Sequence, residues 1–143
     1  MNSVIEKLQS RRKMMFKIVL AAFIIALSVD TLFEIQAVDY FEFETQILFV
    51  YGLIAYKLIE LSIIYYLFYY RPMLKSFRSP EDQSFLKGFE KNAKRFFMLV
   101  PQGNIVFGII SYKFSGQIGF LLLFLLFATV TLFLVKPNKA LST

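Results

Sequence analysis

The chain has 143 residues, 57% of them hydrophobic, with 18 Phe and 8 Tyr. A soluble domain is typically about 45–50% apolar even with glycine counted, so this composition predicts a protein embedded in the lipid bilayer. The absence of Cys and His excludes disulfides, thiolate or imidazole catalysis and His-ligated haem. The net charge of +6 would indicate nucleic-acid binding in a soluble protein. In a membrane protein it is explained by basic cytoplasmic loops, and we expect no nucleic-acid partner.

Four stretches of the chain are long and apolar enough to be transmembrane helices. A helix needs about 20 apolar residues to cross a hydrocarbon core of ~30 Å, and strands are disfavoured because alternation is absent. We therefore expect one all-α integral membrane domain over residues 1–143, with four transmembrane helices in two hairpins. The predicted spans are 14–33, 46–70, 96–112 and 114–135.

The first span could instead belong to a secretory signal peptide, because Lys and Arg precede its apolar stretch. Signal peptides end with small residues at a cleavage site. Ala37 has Ile35, which is not small, two positions before it. We therefore expect the first span to stay in the membrane.

Loop charges predict the orientation of the spans. Basic segments precede the first span, separate the second from the third and follow the fourth, whereas the first loop is acidic and the last turn contains only Lys113. Because Lys and Arg accumulate in cytoplasmic loops, both termini should be cytoplasmic, and we expect a bacterial or archaeal cytoplasmic membrane. The basic residues are Lys7, Arg11, Arg12, Lys13, Arg71, Lys75, Arg78, Lys87, Lys91, Lys94, Arg95, Lys136 and Lys139, and the acidic loop contains Glu34, Asp39, Glu42 and Glu44.

The middle loop should contain a short interfacial amphipathic helix at about 80–95, between the second and third spans. Ser79 can cap this helix, Pro80 suits its first position, and Glu81 with Asp82 complement its dipole. Apolar residues then recur at helical spacing among Lys and Arg, which is typical of a helix in the headgroup layer. We expect this helix to run into the third span. It could bind anionic lipid or a partner, but a simple juxtamembrane connector is favoured.

Lys57 and Glu60 are the charged residues that loop placement does not explain, because they lie near the middle of the second span. A charge at this depth costs about 2.5–3.5 kcal/mol on insertion scales and usually marks a functional site. Their spacing of three places them on one helical face, where they can pair. One interpretation is an ion, proton or substrate site, with Glu60 exchanging the ion and Lys57 tuning it. The other is structural, a self-satisfied pair that joins helices or subunits.

The third span contains the polar run Pro101, Gln102, Gly103 and Asn104. Proline and glycine here predict either a broken-helix turn whose free carbonyls line a pathway, or only a kink near the start of the span. Helical rise places Asn104 level with Glu60 and Gln102 somewhat shallower. These two amides are therefore candidate pathway residues.

Other polar and small residues give weaker signals. Asp30 and Glu34 could gather cations at an outer mouth, but a solvated acidic loop is favoured, and we expect no metal and no cofactor. The small residues Gly108, Ser111, Gly116 and Gly119 should allow close approach of the last two helices.

We therefore predict a small transporter or an ion- or proton-conducting protein, acting as an oligomer through Lys57 and Glu60. The alternative is a non-catalytic structural or assembly subunit of a larger membrane complex, whose partner helices face this pair. An enzyme is disfavoured, because no paired carboxylates lie within the spans and no Walker, dinucleotide-binding, HExxH or GxSxG motif occurs.

Overall fold

The computed structural model describes residues 2–33, 35–69 and 83–135. They form four α-helices: α1 (Asn2–Leu32), α2 (Phe43–Tyr69), α3 (Gln83–Ser115) and α4 (Ile118–Leu134). The prediction of an all-helical fold with four helices is therefore confirmed for the described part of the chain. The features that lie outside the described residues are Glu34, the end of the second span at Tyr70, the helix start at 79–82 and the basic residues Arg71, Lys75, Arg78, Lys136 and Lys139.

The hairpin of α3 and α4 forms the centre of the bundle. Gly108 allows the two helices to approach closely, because a Cβ at this position would lie 2.8 Å from Leu121 Cδ1 and 3.1 Å from Phe124 Cβ. The close approach predicted at Gly108 is thus confirmed. Gly119 has no such role, since a Cβ there would meet nothing within 4 Å.

The turn between α3 and α4 depends on Gly116. Its φ of +67° lies in the left-handed region, which glycine adopts without the steric penalty of a side chain. The Gly116 N–H donates to the carbonyl of Tyr112 at 2.8 Å, and the Gln117 N–H donates to Ser115 Oγ at 3.1 Å. These bonds end α3 at Ser115, and α4 begins at Ile118, after the two turn residues Gly116 and Gln117.

Helix α1 packs against both α3 and α4. Its buried residues Leu8, Met15 and Val19 are spaced by seven and four, so they share one helical face and join a cluster that contains Phe97 and Leu132. Arg12, on the next turn, donates from Nε to the carbonyl of Leu132 at 2.7 Å. That carbonyl lies in the last turn of α4, where backbone acceptors have no helical partner.

Helix α2 also packs against α3 and α4. The buried side chains that define its inner face are Gln46, Val50, Lys57 and Ile64. Aromatic rings meet across α2 and α3, with Phe49 5.5 Å from Phe114 and Tyr56 6.1 Å from Phe107. Because an earlier residue of α2 pairs with a later residue of α3, the two helices are antiparallel.

The loop between α1 and α2 lies beside the turn between α3 and α4. The Val38 N–H donates to the carbonyl of Lys113 at 2.9 Å, and the Ala37 backbone nitrogen lies 3.0 Å from the position of a Cβ on Gly116. Two antiparallel hairpins therefore share one end of the bundle. This is the relative arrangement that the loop charges predict, although the side of the membrane they face stays a prediction.

Two of the helices are long and apolar enough to cross a membrane. They are α1 over Glu6–Leu32 and α2 over Phe43–Tyr66, and only 17% of the most apolar stretch of each is buried. An interior helix of a soluble protein would be mostly buried, whereas side chains such as Leu20 and Leu48 are 61% and 71% exposed. Helix α4 is apolar but shorter, with 17 residues. The four-span topology stays a prediction.

The helix predicted at about 80–95 is present where the structure describes it, and it runs into the predicted third span. Its position in the headgroup layer stays a prediction. Residues 83–95 form the first part of α3, which continues without interruption to Ser115 over 33 residues. The first residue of α3 that lacks a backbone N–H is Pro101, so no helix breaker separates the basic segment from the apolar segment. At 1.5 Å per residue, α3 is about 50 Å long.

Candidate functional site

Lys57 is buried and forms an ion pair with Glu60. The Nζ of Lys57 lies 2.5 Å from Oε2 of Glu60, and the side chain of Lys57 is 4% exposed. The two residues lie one turn apart on α2, so the helix itself brings them together. The pairing that their spacing predicts is therefore present, and it neutralises both charges within the bundle.

The ammonium group of Lys57 faces α3. A Cβ at Gly103 would lie 3.6 Å from Nζ, at ordinary van der Waals distance, so the ammonium lies directly beside this position of α3. Nζ also lies 4.9 Å from the ring centroid of Phe107 and 5.4 Å from that of Tyr56. Aromatic faces attract cations at these distances. Lys57 is therefore held by one carboxylate and two rings at the interface of α2 and α3.

Glu60 is less enclosed than Lys57. Its side chain is 23% exposed, and it lies near the edge of the inner face of α2. One carboxylate oxygen faces the ammonium group of Lys57, while the side chain retains access to the surroundings of the bundle. Glu60 is therefore the more accessible member of the pair.

Asn104 follows Gly103 on α3 and is 1% exposed. Neither Oδ1 nor Nδ2 has a hydrogen-bond partner among the described residues. A buried amide without a partner is unusual, because such groups are nearly always satisfied by protein or by ordered water. The structure thus brings Lys57, Glu60, Gly103 and Asn104 to one level of the bundle, as helical rise predicted for Asn104.

The predicted broken-helix turn at Pro101 and Gly103 is wrong. Helix α3 runs through Pro101, whose side chain is fully buried. A proline removes one backbone hydrogen bond, and packing of this buried turn within the bundle keeps the remaining turns helical. Gly103 lies within this continuous helix, beside the ammonium of Lys57.

Gln102 does not join the site. It is exposed on α3, about 200° around the helix from the buried Asn104, given 100° per residue. The structure therefore separates the two amides that the sequence analysis placed on one pathway, and only Asn104 lies near the ion pair.

Three further polar residues are buried in the bundle, and their burial was not predicted from the sequence. Gln46 and Ser111 are buried, and Gln46 Oε1 and Ser111 Oγ have no hydrogen-bond partner among the described residues. Tyr112 is buried as well, and its hydroxyl donates to Asp30 Oδ1 at 2.6 Å. The available signal was spacing, because Gln46 shares a helical face with Lys57, and Ser111 shares one with Asn104.

Neither a search for metal-binding clusters nor comparison with known proteins identifies what this site binds. The described residues contain no group of three or more His, Cys, Asp or Glu side chains that could hold a metal ion. Comparison of the chain with models of protein families, with curated proteins and with solved structures finds no match.

Proposed function

We propose that this chain is a multi-pass membrane protein that moves protons or small ions across the bilayer, acting as an oligomer through Lys57 and Glu60. The observation that carries the proposal is the ion pair of a fully buried ammonium with a partly exposed carboxylate, on a helix long and apolar enough to cross a membrane. Ionisable groups at such depth are costly and usually functional. The basic residues at one end of the bundle support cytoplasmic termini.

A proton suits this site better than a metal cation. Metal cations such as Ca²⁺ need six to eight oxygen ligands, whereas Glu60 is the one carboxylate in the pair and Lys57 cancels its charge. Protonation of Glu60 would release Lys57 from its ion pair. The adjacent amide of Asn104 offers the ammonium an alternative acceptor, because its Oδ1 has no partner among the described residues.

The test uses the purified protein in liposomes with a pH-sensitive dye inside. We expect proton uptake under an imposed gradient, loss of uptake in Glu60→Gln and partial uptake in Glu60→Asp. Gln retains an acceptor for Lys57, so the fold should survive, as monodispersity in detergent would verify. Glu44→Gln, which removes an exposed carboxylate from the first turn of α2, is the matched control. Normal uptake in Glu60→Gln would overturn the role of Glu60.

The alternative is a non-catalytic subunit of a larger membrane complex. It is favoured by one observation: Glu60 is 23% exposed at the surface of α2, where a charge in lipid would be covered by another chain. In that case the protein should be unstable alone, and Lys57→Leu should abolish its co-purification with other chains. Proton uptake by the isolated protein would contradict this alternative.

A further inference from the structure

A cleft of about 310 Å³ lies beside the basic segment of α1, near the end of the bundle at which α4 ends. Its lining comes from one face of α1 and consists of Gln9, Arg12, Lys13 and Phe16. Small-ligand sites begin at about this volume, since they typically measure about 300–1,000 Å³. These four residues take no part in the Lys57–Glu60 site, so the cleft is a separate feature.

Arg12 is held in place at the cleft by two contacts. Its Nε donates to the carbonyl of Leu132 at 2.7 Å, and its guanidinium carbon lies 5.3 Å from the ring centroid of Phe16. The Phe16 ring packs edge-on against Phe133, with the ring centroids 5.2 Å apart. The bond to Leu132 uses one of the five guanidinium N–H donors and pairs an acceptor at the negative end of α4. Arg12 is therefore oriented before any ligand binds, which lowers the entropic cost of binding.

The cleft is positively charged. Arg12 and Lys13 both line it, and none of the described residues that line it is acidic. Glu6 is the acidic residue of α1 before Arg12, and it lies six residues away, about 9 Å along the helix. A guanidinium beside an ammonium suits a phosphate, because Arg forms two parallel hydrogen bonds to phosphate oxygens and Lys supplies a second charge. The cleft therefore fits an anionic phosphate group.

An exposed apolar strip continues the same face of α1 beyond the cleft. Leu20 and Leu27 follow Phe16 by four and eleven residues, so they share its helical face, and they are 61% and 49% exposed. From Phe16 to Leu27 the strip extends about 16 Å, at 1.5 Å per residue. The cleft thus lies where a basic helical face becomes apolar, which is where a phospholipid changes from phosphate to acyl chain.

We propose that the cleft binds one anionic phospholipid, with Arg12 and Lys13 contacting the phosphate and the acyl chains lying along Leu20 and Leu27. The loop charges predict that this end of the bundle faces the cytoplasm, so the lipid would come from the inner leaflet. The site goes beyond the proposed movement of ions, because it depends on insertion of α1 in the membrane and not on the Lys57–Glu60 pair.

The test measures lipid binding to the purified protein in neutral detergent by native mass spectrometry. The probes are phosphatidylglycerol, which is anionic, and phosphatidylcholine with the same acyl chains, which has no net charge. Lys13→Met is the main variant, because Lys13 is exposed and its loss should leave the fold intact. Arg12→Lys is the second variant, since it keeps the charge but not the guanidinium fork.

Lys7→Met is the matched control for Lys13→Met. It removes an exposed charge from the same segment of the same helix. Lys7 lies nine residues before Phe16, about 180° around the helix at 100° per residue, so it faces away from the cleft.

We expect the unmodified protein to bind phosphatidylglycerol at least about tenfold more tightly than phosphatidylcholine, because even one hydrogen bond between charged groups contributes about this factor. Lys13→Met and Arg12→Lys should lose most of this preference. Lys7→Met should bind within about twofold of the unmodified protein, since an exposed charge away from the phosphate is screened by salt.

Equal losses in Lys13→Met and Lys7→Met would overturn the site, because binding would then follow net charge alone. Displacement of the lipid by an excess of inorganic phosphate would show that the cleft binds free phosphate, and would overturn the lipid as its occupant. None of these measurements records proton movement, so failure of the lipid site and failure of the proposed function are distinguishable.

Discussion

Tyr112 on α3 donates a hydrogen bond of 2.6 Å to Asp30 on α1, across 82 residues of sequence. The tyrosine is 5% exposed, whereas Asp30 is exposed, so the two partners depend on the bond unequally. Removing the carboxylate leaves a buried hydroxyl without its acceptor. Removing the hydroxyl leaves a carboxylate that the surroundings can still solvate.

Asp30→Ala should therefore destabilise the protein more than Tyr112→Phe. We expect a loss of about 1–3 kcal/mol in the free energy of unfolding for Asp30→Ala, as for a buried donor left without a partner. Adding Tyr112→Phe to Asp30→Ala should restore part of this loss. Denaturant unfolding in detergent would measure it, with the exposed loop residue Asp39→Ala as the control. Equal losses in the two single variants would contradict the asymmetry.

Gly108→Ala should separate α3 from α4. The added methyl group would lie 3.1 Å from Phe124 Cβ and 3.3 Å from the backbone oxygen of Leu121, and a backbone atom cannot move alone. Overpacking of this kind typically costs about 1–3 kcal/mol. Thermal unfolding in detergent should therefore show a lower midpoint for the variant.

Gly52→Ala is the matched control for Gly108→Ala. It makes the same substitution within α2, where a Cβ would meet nothing within 4 Å. Since alanine favours helix over glycine by up to about 1 kcal/mol, this variant should be neutral or slightly stabilised. A loss equal to that of Gly108→Ala would assign the effect to glycine itself rather than to close packing.

Arg12→Met should loosen the end of α4. The guanidinium donates to the carbonyl of Leu132 at 2.7 Å, and a hydrogen bond from a charged donor contributes about 1.5–3 kcal/mol. Lys13→Met removes the same charge from the adjacent exposed residue and should change the stability little. Amide hydrogen exchange should show faster exchange in the last turn of α4 for Arg12→Met alone. The prediction fails if both variants exchange alike.

Local spacing predicted those parts of the site that lie on one helix. The three-residue separation of Lys57 and Glu60 was enough to predict their ion pair, because helical geometry alone brings them together. The small residue Gly108 likewise predicted a close helix contact, since glycine has no side chain to keep two helix backbones apart.

Contacts between helices could not be predicted in this way. The bond between Tyr112 and Asp30 depends on the rotation of α1 against α3, which spacing within either helix does not determine. The broken turn predicted at Pro101 was wrong for a related reason. Proline disfavours the interior of a helix, but burial of this turn in the bundle keeps α3 helical. Tertiary packing decided both outcomes.

Unequal burial of Lys57 and Glu60 gives a last prediction about the ion pair. The side chain of Lys57 is 4% exposed and that of Glu60 is 23% exposed. Glu60→Leu leaves a buried ammonium without its carboxylate, and breaking a buried pair from one side costs about 3–5 kcal/mol. Lys57→Leu leaves a carboxylate at the edge of the bundle, which water in the detergent sample reaches more easily than it reaches the buried Lys57, so it should cost less.

The double variant Lys57→Leu/Glu60→Leu should be more stable than Glu60→Leu, because replacing both charges with apolar side chains removes the uncompensated cation. Denaturant unfolding of the three variants in one detergent measures the order directly. If the double variant loses as much as the sum of the two single variants, the residues act independently, and the ion pair does not contribute to stability. If Lys57→Leu is the more destabilising single variant, Glu60 depends on the ion pair more than Lys57 does. Partial exposure would then not stabilise the unpaired carboxylate of Glu60.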